Sequence, residues 1–208
     1  MPKLRLGGRR GGEGSALGKS FLEQANEARK KIRNLKRERA YIIDQKGNVI
    51  ATLQGKEDQV TTPKEVIREI QRGQLDFGKN YGFIHNHPSG STFSPEDINA
   101  MIRRGYVEMW AVTKDGTYRI RSKSPTGGGN MVLATQAEEL LTRLQLGDAY
   151  EYAVKKAEKR KFVNAQERFH FIREEEDRYT NKQMDRFYRN NAEKNGLIYS
   201  FEPNRKKR

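Results

Sequence analysis

Cysteine is absent from this chain, which removes disulfides, thiolate metal clusters and cysteine nucleophiles together. Any metal would have to be held by His, Asp, Glu and water. Histidine is scarce too, with three in 208 residues. Long apolar runs are missing: no stretch approaches the ~18 apolar residues that a bilayer span needs. The start, Met1-Pro2-Lys3-Leu4-Arg5-Leu6, has no apolar segment of the secretory type. These absences lead to the expectation of a soluble, intracellular protein with no membrane partner.

Hydrophobic residues make up only 34% of the chain and charged residues 33%, so one modest core plus solvated extensions is expected. Acidic residues are outnumbered, 27 against 41 Lys and Arg. The formal charge of +14 implies attraction to phosphates or to acidic protein surfaces and says nothing about fold.

Four stretches follow from the patterning. Residues 1–15 form a Gly-rich basic lead that cannot bury enough apolar surface to order itself. Residues 16–123 hold the main domain. Ser15 is a candidate N-cap, and Leu17, Phe21, Ala25, Ala28, Ile32 and Leu35 recur at amphipathic-helix spacing. Two β-rich runs between Tyr41 and Leu53 flank a turn with Gly47, a hairpin pattern. Pro63 suits the first position of a helix with Val66, Ile67 and Ile70 on one side. Tyr81 to Ile84 predicts a buried strand, Ser94-Pro95 starts a helix through Met101, and Tyr106 to Ile120 contains a second hairpin turning at Lys114-Asp115-Gly116. This order predicts an α/β (α+β) domain. Residues 124–130 read as a Gly-rich linker. Residues 131–208 read as a basic helical extension, with breaks expected at Gly147 and near Thr180, a short strand at Gly196 to Phe201 and a basic end at Arg205 to Arg208. There is no internal repeat.

The segment Ile84-His85-Asn86-His87-Pro88-Ser89-Gly90, followed by Ser94-Pro95-Glu96-Asp97, concentrates the chemistry. Spacing of i, i+2 puts both imidazoles on one face at a strand end. Two histidines and a carboxylate leave the fourth position of a tetrahedral zinc ion for water, the arrangement of a hydrolytic site. Zinc lowers the pKa of such a water towards ~7, and a further carboxylate has to move the proton. The plainer alternative is a strand end followed by a capping box formed by Ser94 and Asp97. His170 lies far downstream and is expected at the surface or in packing.

These residues resemble the JAMM (JAB, MPN-plus) metallopeptidase domain, within it the RadC-like branch and related domains of phage morphogenesis genes. The resemblance covers about residues 36 to 121. It rests on His85-Asn86-His87-Pro88-Ser89-Gly90, on Ser94 to Asp97, and on the preceding hairpin, Gly55 and Pro63-Lys64-Glu65-Val66-Ile67. It implies a JAMM/cytidine-deaminase-like mixed sheet flanked by helices. It further implies zinc at His85, His87 and Asp97, Ser94 as oxyanion helper and Glu38 as general base, with Glu57 and Glu65 as alternatives. In the family ten residues separate the second His from the Asp; here Pro88 to Glu96 is nine, which leaves neighbouring Glu96 as an alternative ligand.

The implied activity is zinc-dependent hydrolysis of a peptide or isopeptide bond in the cytoplasm of a bacterial or phage-infected cell, or in association with a virion. The alternative is a non-enzymatic DNA-binding or phage assembly protein that engages nucleic acid or an acidic protein surface through the basic extension. There, Lys and Arg interleaved with aromatics between Tyr150 and Tyr199 suit phosphate contacts, while Glu174 to Asp177 interrupts the positive field.

Overall fold

A computed structural model describes residues 17–55, 61–124 and 126–204. The basic lead 1–15 with Ser15, the alternative base Glu57 and the end Arg205 to Arg208 lie outside the described residues.

The fold is mixed α/β: a six-stranded mixed sheet in the order β2-β1-β3-β4-β5-β6, flanked by helices. Strands β1 (Arg39–Asp44) and β2 (Val49–Gln54) form the first hairpin, with a bulge between Ile42 and Ile43. Strand β3 (Tyr81–Asn86) is buried throughout and runs antiparallel to β1 but parallel to β4 (Glu108–Val112). The β3–β4 crossover is helix α3 (Pro95–Arg104), as a parallel pair requires a covered connection. Strand β5 (Gly116–Ser122) completes the second hairpin, and β6 (Leu197–Pro203) pairs antiparallel with it.

Helix α1 (Lys19–Ile32) covers one face of the sheet. Its stripe of Phe21, Ala25, Ala28 and Ile32 packs with Ile43, Ile84, Val107, Trp110 and Val112, the expected result of a 3.6-residue apolar repeat meeting a period-2 strand face. Contact is so close at Gly82 that a Cβ there would sit 2.3 Å from the Phe21 ring, so only glycine fits. Helix α2 (Lys64–Phe77) and α3 pack on the opposite face. Pro63 is the N-cap of α2, with extended ψ of 148°, one position earlier than expected: its missing N–H is equally harmless there, because no N-cap N–H is needed by the helix.

The stretch 131–204 is built into the same core. Helix α4 (Val132–Arg143) leads through a π-helical turn, Leu144–Asp148, into α5 (Ala149–Ala157), and Gly147 with φ 157° makes the break expected there. Helix α6 (Ala165–Asn191) runs on without the break expected near Thr180; no Gly or Pro interrupts residues 165–191, and nothing else there removes a helical hydrogen bond. Leu133, Ala137, Leu144, Met184, Tyr188 and Leu197 join Phe83, Met109 and Ile120 in one cluster. No helix among the described residues is long and apolar enough to cross a membrane.

Candidate metal centre

Alternation along β3 decides where the motif points. Phe83 faces the α3 side with His85 beside it, ring centroids 5.1 Å apart, whereas Ile84 joins the α1 side. Across the sheet His85 pairs with Ala40 and Ala111, whose small side chains leave room for the imidazole. His87 follows just beyond the strand, its N–H donating to the Val112 carbonyl at 2.9 Å.

Asp97 arrives by a different route. Ser94 caps α3: its Oγ accepts from the Asp97 N–H at 3.1 Å, and Asp97 Oδ2 accepts from the Ser94 N–H at 2.8 Å and from the Ser94 hydroxyl at 3.0 Å. The capping box is thus real, and it also aims a ligand. Asp97 Oδ1 lies 3.3 Å from His85 Nε2, and Oδ2 lies 3.4 Å from His87 Nε2. The nine-residue spacing from His87 therefore suffices, and Glu96 is exposed.

Second contacts fix the ring of His87. Three oxygens surround its Nδ1: the Ser91 carbonyl at 3.1 Å, the Thr92 carbonyl at 3.0 Å and Ser91 Oγ at 3.2 Å. Carbonyls only accept, so this network assigns the hydrogen to Nδ1 and leaves a lone pair on Nε2 of the neutral ring. That lone pair meets His85 Nε2 at 2.8 Å. Two ring nitrogens and a carboxylate converging on one point can be bridged by a shared hydrogen or by a metal ion.

Without a metal ion the cluster divides its charge unevenly. Burial lowers the His85 pKa, against the opposing pull of Asp97. Burial also works against a charged His87, but hydrogen bonding and charge from Asp97, helped by Glu38, outweigh it and raise the His87 pKa. For Asp97 burial is overcome by both histidines, which hold its carboxyl well below the usual range.

His85, His87 and Asp97 together can hold a metal ion. A tetrahedral ion with ligands at about 2.0–2.1 Å separates any two of them by about 3.3–3.4 Å; the His–Asp distances, one to each carboxylate oxygen, match that edge, while the two imidazole nitrogens at 2.8 Å lie closer than it. A ring N–H donated to carbonyls is also the usual support of a metal-bound histidine.

Glu38 is the carboxylate brought to this cluster from outside the motif. It is buried, just before β1, with Oε1 4.0 Å from His87 Nε2. Its placement depends on Asn86, on the opposite side of β3 from His85. Asn86 Oδ1 accepts from the Arg39 N–H at 2.7 Å, and its amide donates to the carbonyls of Leu35 and Arg37 at 3.3 and 3.2 Å. Glu65 is exposed in the first turn of α2, and His170 is exposed on α6 beside Phe169.

Three supporting residues escape a reading of the sequence alone. Asn181 of α6 accepts from the Thr92 N–H at 2.6 Å. Tyr199 of β6 bonds Thr92 Oγ1 at 2.7 Å and donates to Asp185 at 2.7 Å. Thr92 itself is buried and is the residue whose carbonyl holds His87. Asn86 had a visible signal in its position between the histidines; Asn181 and Tyr199 had none, because the contacts span 89 and 107 residues.

No family model matches the chain, and no curated protein or solved structure matches it either. The functional reading therefore rests on the site's own residues.

Proposed function

We propose that this protein is a zinc-dependent hydrolase of the JAMM type, cleaving a peptide or isopeptide bond at a centre held by His85, His87 and Asp97. One observation carries the reading: two buried imidazole nitrogens 2.8 Å apart each lie 3.3 to 3.4 Å from an oxygen of the half-buried Asp97 carboxylate, with a further carboxylate, Glu38, 4.0 Å from His87 Nε2. A structural site closes its coordination with four protein ligands, whereas three ligands and a further carboxylate nearby are the pattern of a hydrolytic one. Imidazole with carboxylate in a tetrahedral set favours zinc over the harder cations.

Zinc, when bound, supplies Lewis acidity that makes water a usable nucleophile near neutral pH. Glu38 takes a proton at its carboxylate and returns it to the leaving nitrogen. The Ser94 hydroxyl, which donates to Asp97 Oδ2 at rest, is the side-chain donor for a developing oxyanion. Asn86 keeps Glu38 in reach, and the 88–94 loop keeps the His87 lone pair directed inward. On the motif resemblance we assign a protein or peptide substrate and a setting in the cytoplasm of a bacterial or phage-infected cell, or in the virion.

The test combines elemental analysis with cleavage of a peptide library and of isopeptide-linked substrates. The wild type should hold one zinc per chain and cleave; His85→Ala and Asp97→Ala should lose the metal. Glu38→Gln should keep the zinc and lose activity by about 100-fold or more, the scale of a general base. Retained activity in Glu38→Gln would remove Glu38 from the role.

A further inference from the structure

The helical hairpin of α5 and α6 ends far from the metal centre and carries a surface that the hydrolase reading does not use. Met184 and Tyr188 anchor the C-terminal half of α6 in the main core, but Ile172 packs only in a small separate cluster with Ala153 and Ala157 of α5. The turn between the helices is therefore the end of an arm. Phe169 and Asn181 are twelve helix positions apart, or about 18 Å at 1.5 Å per residue.

Between Lys155 and Arg173 the sequence has seven basic residues against two acidic ones, Glu158 and Glu167. Arg160 lies 4.0 Å from Glu167 and stacks over Phe171, and Lys156 pairs with the buried Glu175. Lys159, Lys161, Arg168 and Arg173 are exposed, and among the described residues no carboxylate pairs with them. In their midst two apolar side chains face solvent, Val163 at 91% and Phe169 at 57% exposure. Arg173 sits over the Phe169 ring at 5.5 Å, so this ring already presents its face to a planar cation.

A single exposed hydrophobic residue is ordinary. An exposed aromatic ring among four cations that no carboxylate pairs among the described residues, at the end of an arm, is the combination that binds single strands: cations follow the phosphates and the ring stacks a base. Duplex binding would need no exposed ring. We propose that the α5–α6 turn is a docking surface for single-stranded nucleic acid, contacted through Lys159, Lys161, Arg168, Arg173 and Phe169. This docking is independent of the metal centre and of its chemistry.

The experiment is fluorescence anisotropy of the full chain with a labelled 20-nucleotide oligothymidylate, a 20-base-pair duplex, and a parallel sedimentation assay with phosphatidylserine–phosphatidylcholine vesicles. Single strand should be preferred over duplex, with affinity falling as salt rises. The quadruple variant Lys159→Ala, Lys161→Ala, Arg168→Ala, Arg173→Ala should bind at least tenfold more weakly at 100 mM salt. Its log–log salt slope should shrink by about 3, at ~0.7 per phosphate contact on a single strand. Phe169→Ala should weaken binding by about five- to tenfold with the slope unchanged, the signature of lost stacking. Wild-type affinity in the quadruple variant, equal or tighter binding of the duplex, or binding of vesicles without binding of the oligonucleotide would each overturn the proposal.

Discussion

Asn181 of the C-terminal helix accepts a 2.6 Å hydrogen bond from the backbone N–H of Thr92, whose carbonyl in turn holds His87 Nδ1. A helix distant in sequence thereby sets the orientation of an imidazole in the His85–His87–Asp97 cluster. Partners one step removed from a ligand commonly govern metal affinity by 10–100-fold. Asn181→Ala should therefore weaken zinc binding by about tenfold, measured by competition with a chromophoric chelator, although Asn181 touches neither histidine. Unaltered affinity would show that the loop holds its shape unaided.

Ser94 and Asp97 combine a helix cap with a ligand mount. Ser94→Ala removes the cap and one hydrogen bond to the carboxylate, and capping serines are worth about 1 kcal/mol. For a chain of this size that corresponds to a Tm lower by about 2–4 °C, read by calorimetry on the metal-free protein. Metal stoichiometry should persist in Ser94→Ala and vanish in Asp97→Ala. If both variants lose metal equally, the hydroxyl does more than orient the carboxylate.

Asn86→Ala removes three hydrogen bonds to the segment that carries Glu38. Buried polar groups left without partners cost about 1–3 kcal/mol each, so thermal stability should fall clearly. More diagnostic is the split between binding and turnover. The variant should still load zinc through His85, His87 and Asp97 while losing most cleavage, with kcat rather than KM carrying the loss.

Metal uptake should depend on pH in a direction set by His87. Its pKa in the metal-free folded protein is raised by Asp97 and Glu38 against burial, so the stabilisation from its proton is fully present below the unfolded pKa and fades as pH rises through the folded value. Metal must displace that proton. Zinc affinity should thus rise with pH until it passes the raised value, and calorimetry in buffers of different ionisation enthalpy should register proton release on binding. Binding without proton release would contradict the assigned protonation.

Chelation offers a separate check on the same cluster. A ligand that binds only the folded state stabilises it by about 2.7 kcal/mol at a hundredfold excess over Kd. Zinc at that excess should raise the Tm of the wild type and leave that of His87→Ala unmoved, with reversal on adding a chelator. Equal shifts in both proteins would locate the stabilising metal elsewhere.

Much of this architecture was legible before any coordinates. Phe21, Ala25, Ala28 and Ile32 announced α1 because an apolar repeat of three to four residues has only one helical solution, and the run Tyr81 to Ile84 announced β3 because only a central strand is apolar on both faces. Gly147 marked a break, whereas Thr180 did not, since threonine leaves the helical hydrogen bonds intact. The site was half visible: His85, His87, Ser94 and Asp97 act through spacings of two to twelve residues. Glu38 could be ranked above Glu65 only by resemblance.

What the sequence by itself determined was local: strand and helix periodicity, the capping box, and a pair of imidazoles delivered to one face of a strand end. Tertiary structure alone decided that Asp97 closes on both histidines, that Asn86 draws Glu38 to 4.0 Å from His87, and that α6 and β6 belong to the same core as the sheet. The physical reason is range. Periodicity and capping are written in neighbouring residues, but hydrogen bonds such as Asn181 to Thr92 and Tyr199 to Thr92 exist only after the chain has folded across the sheet.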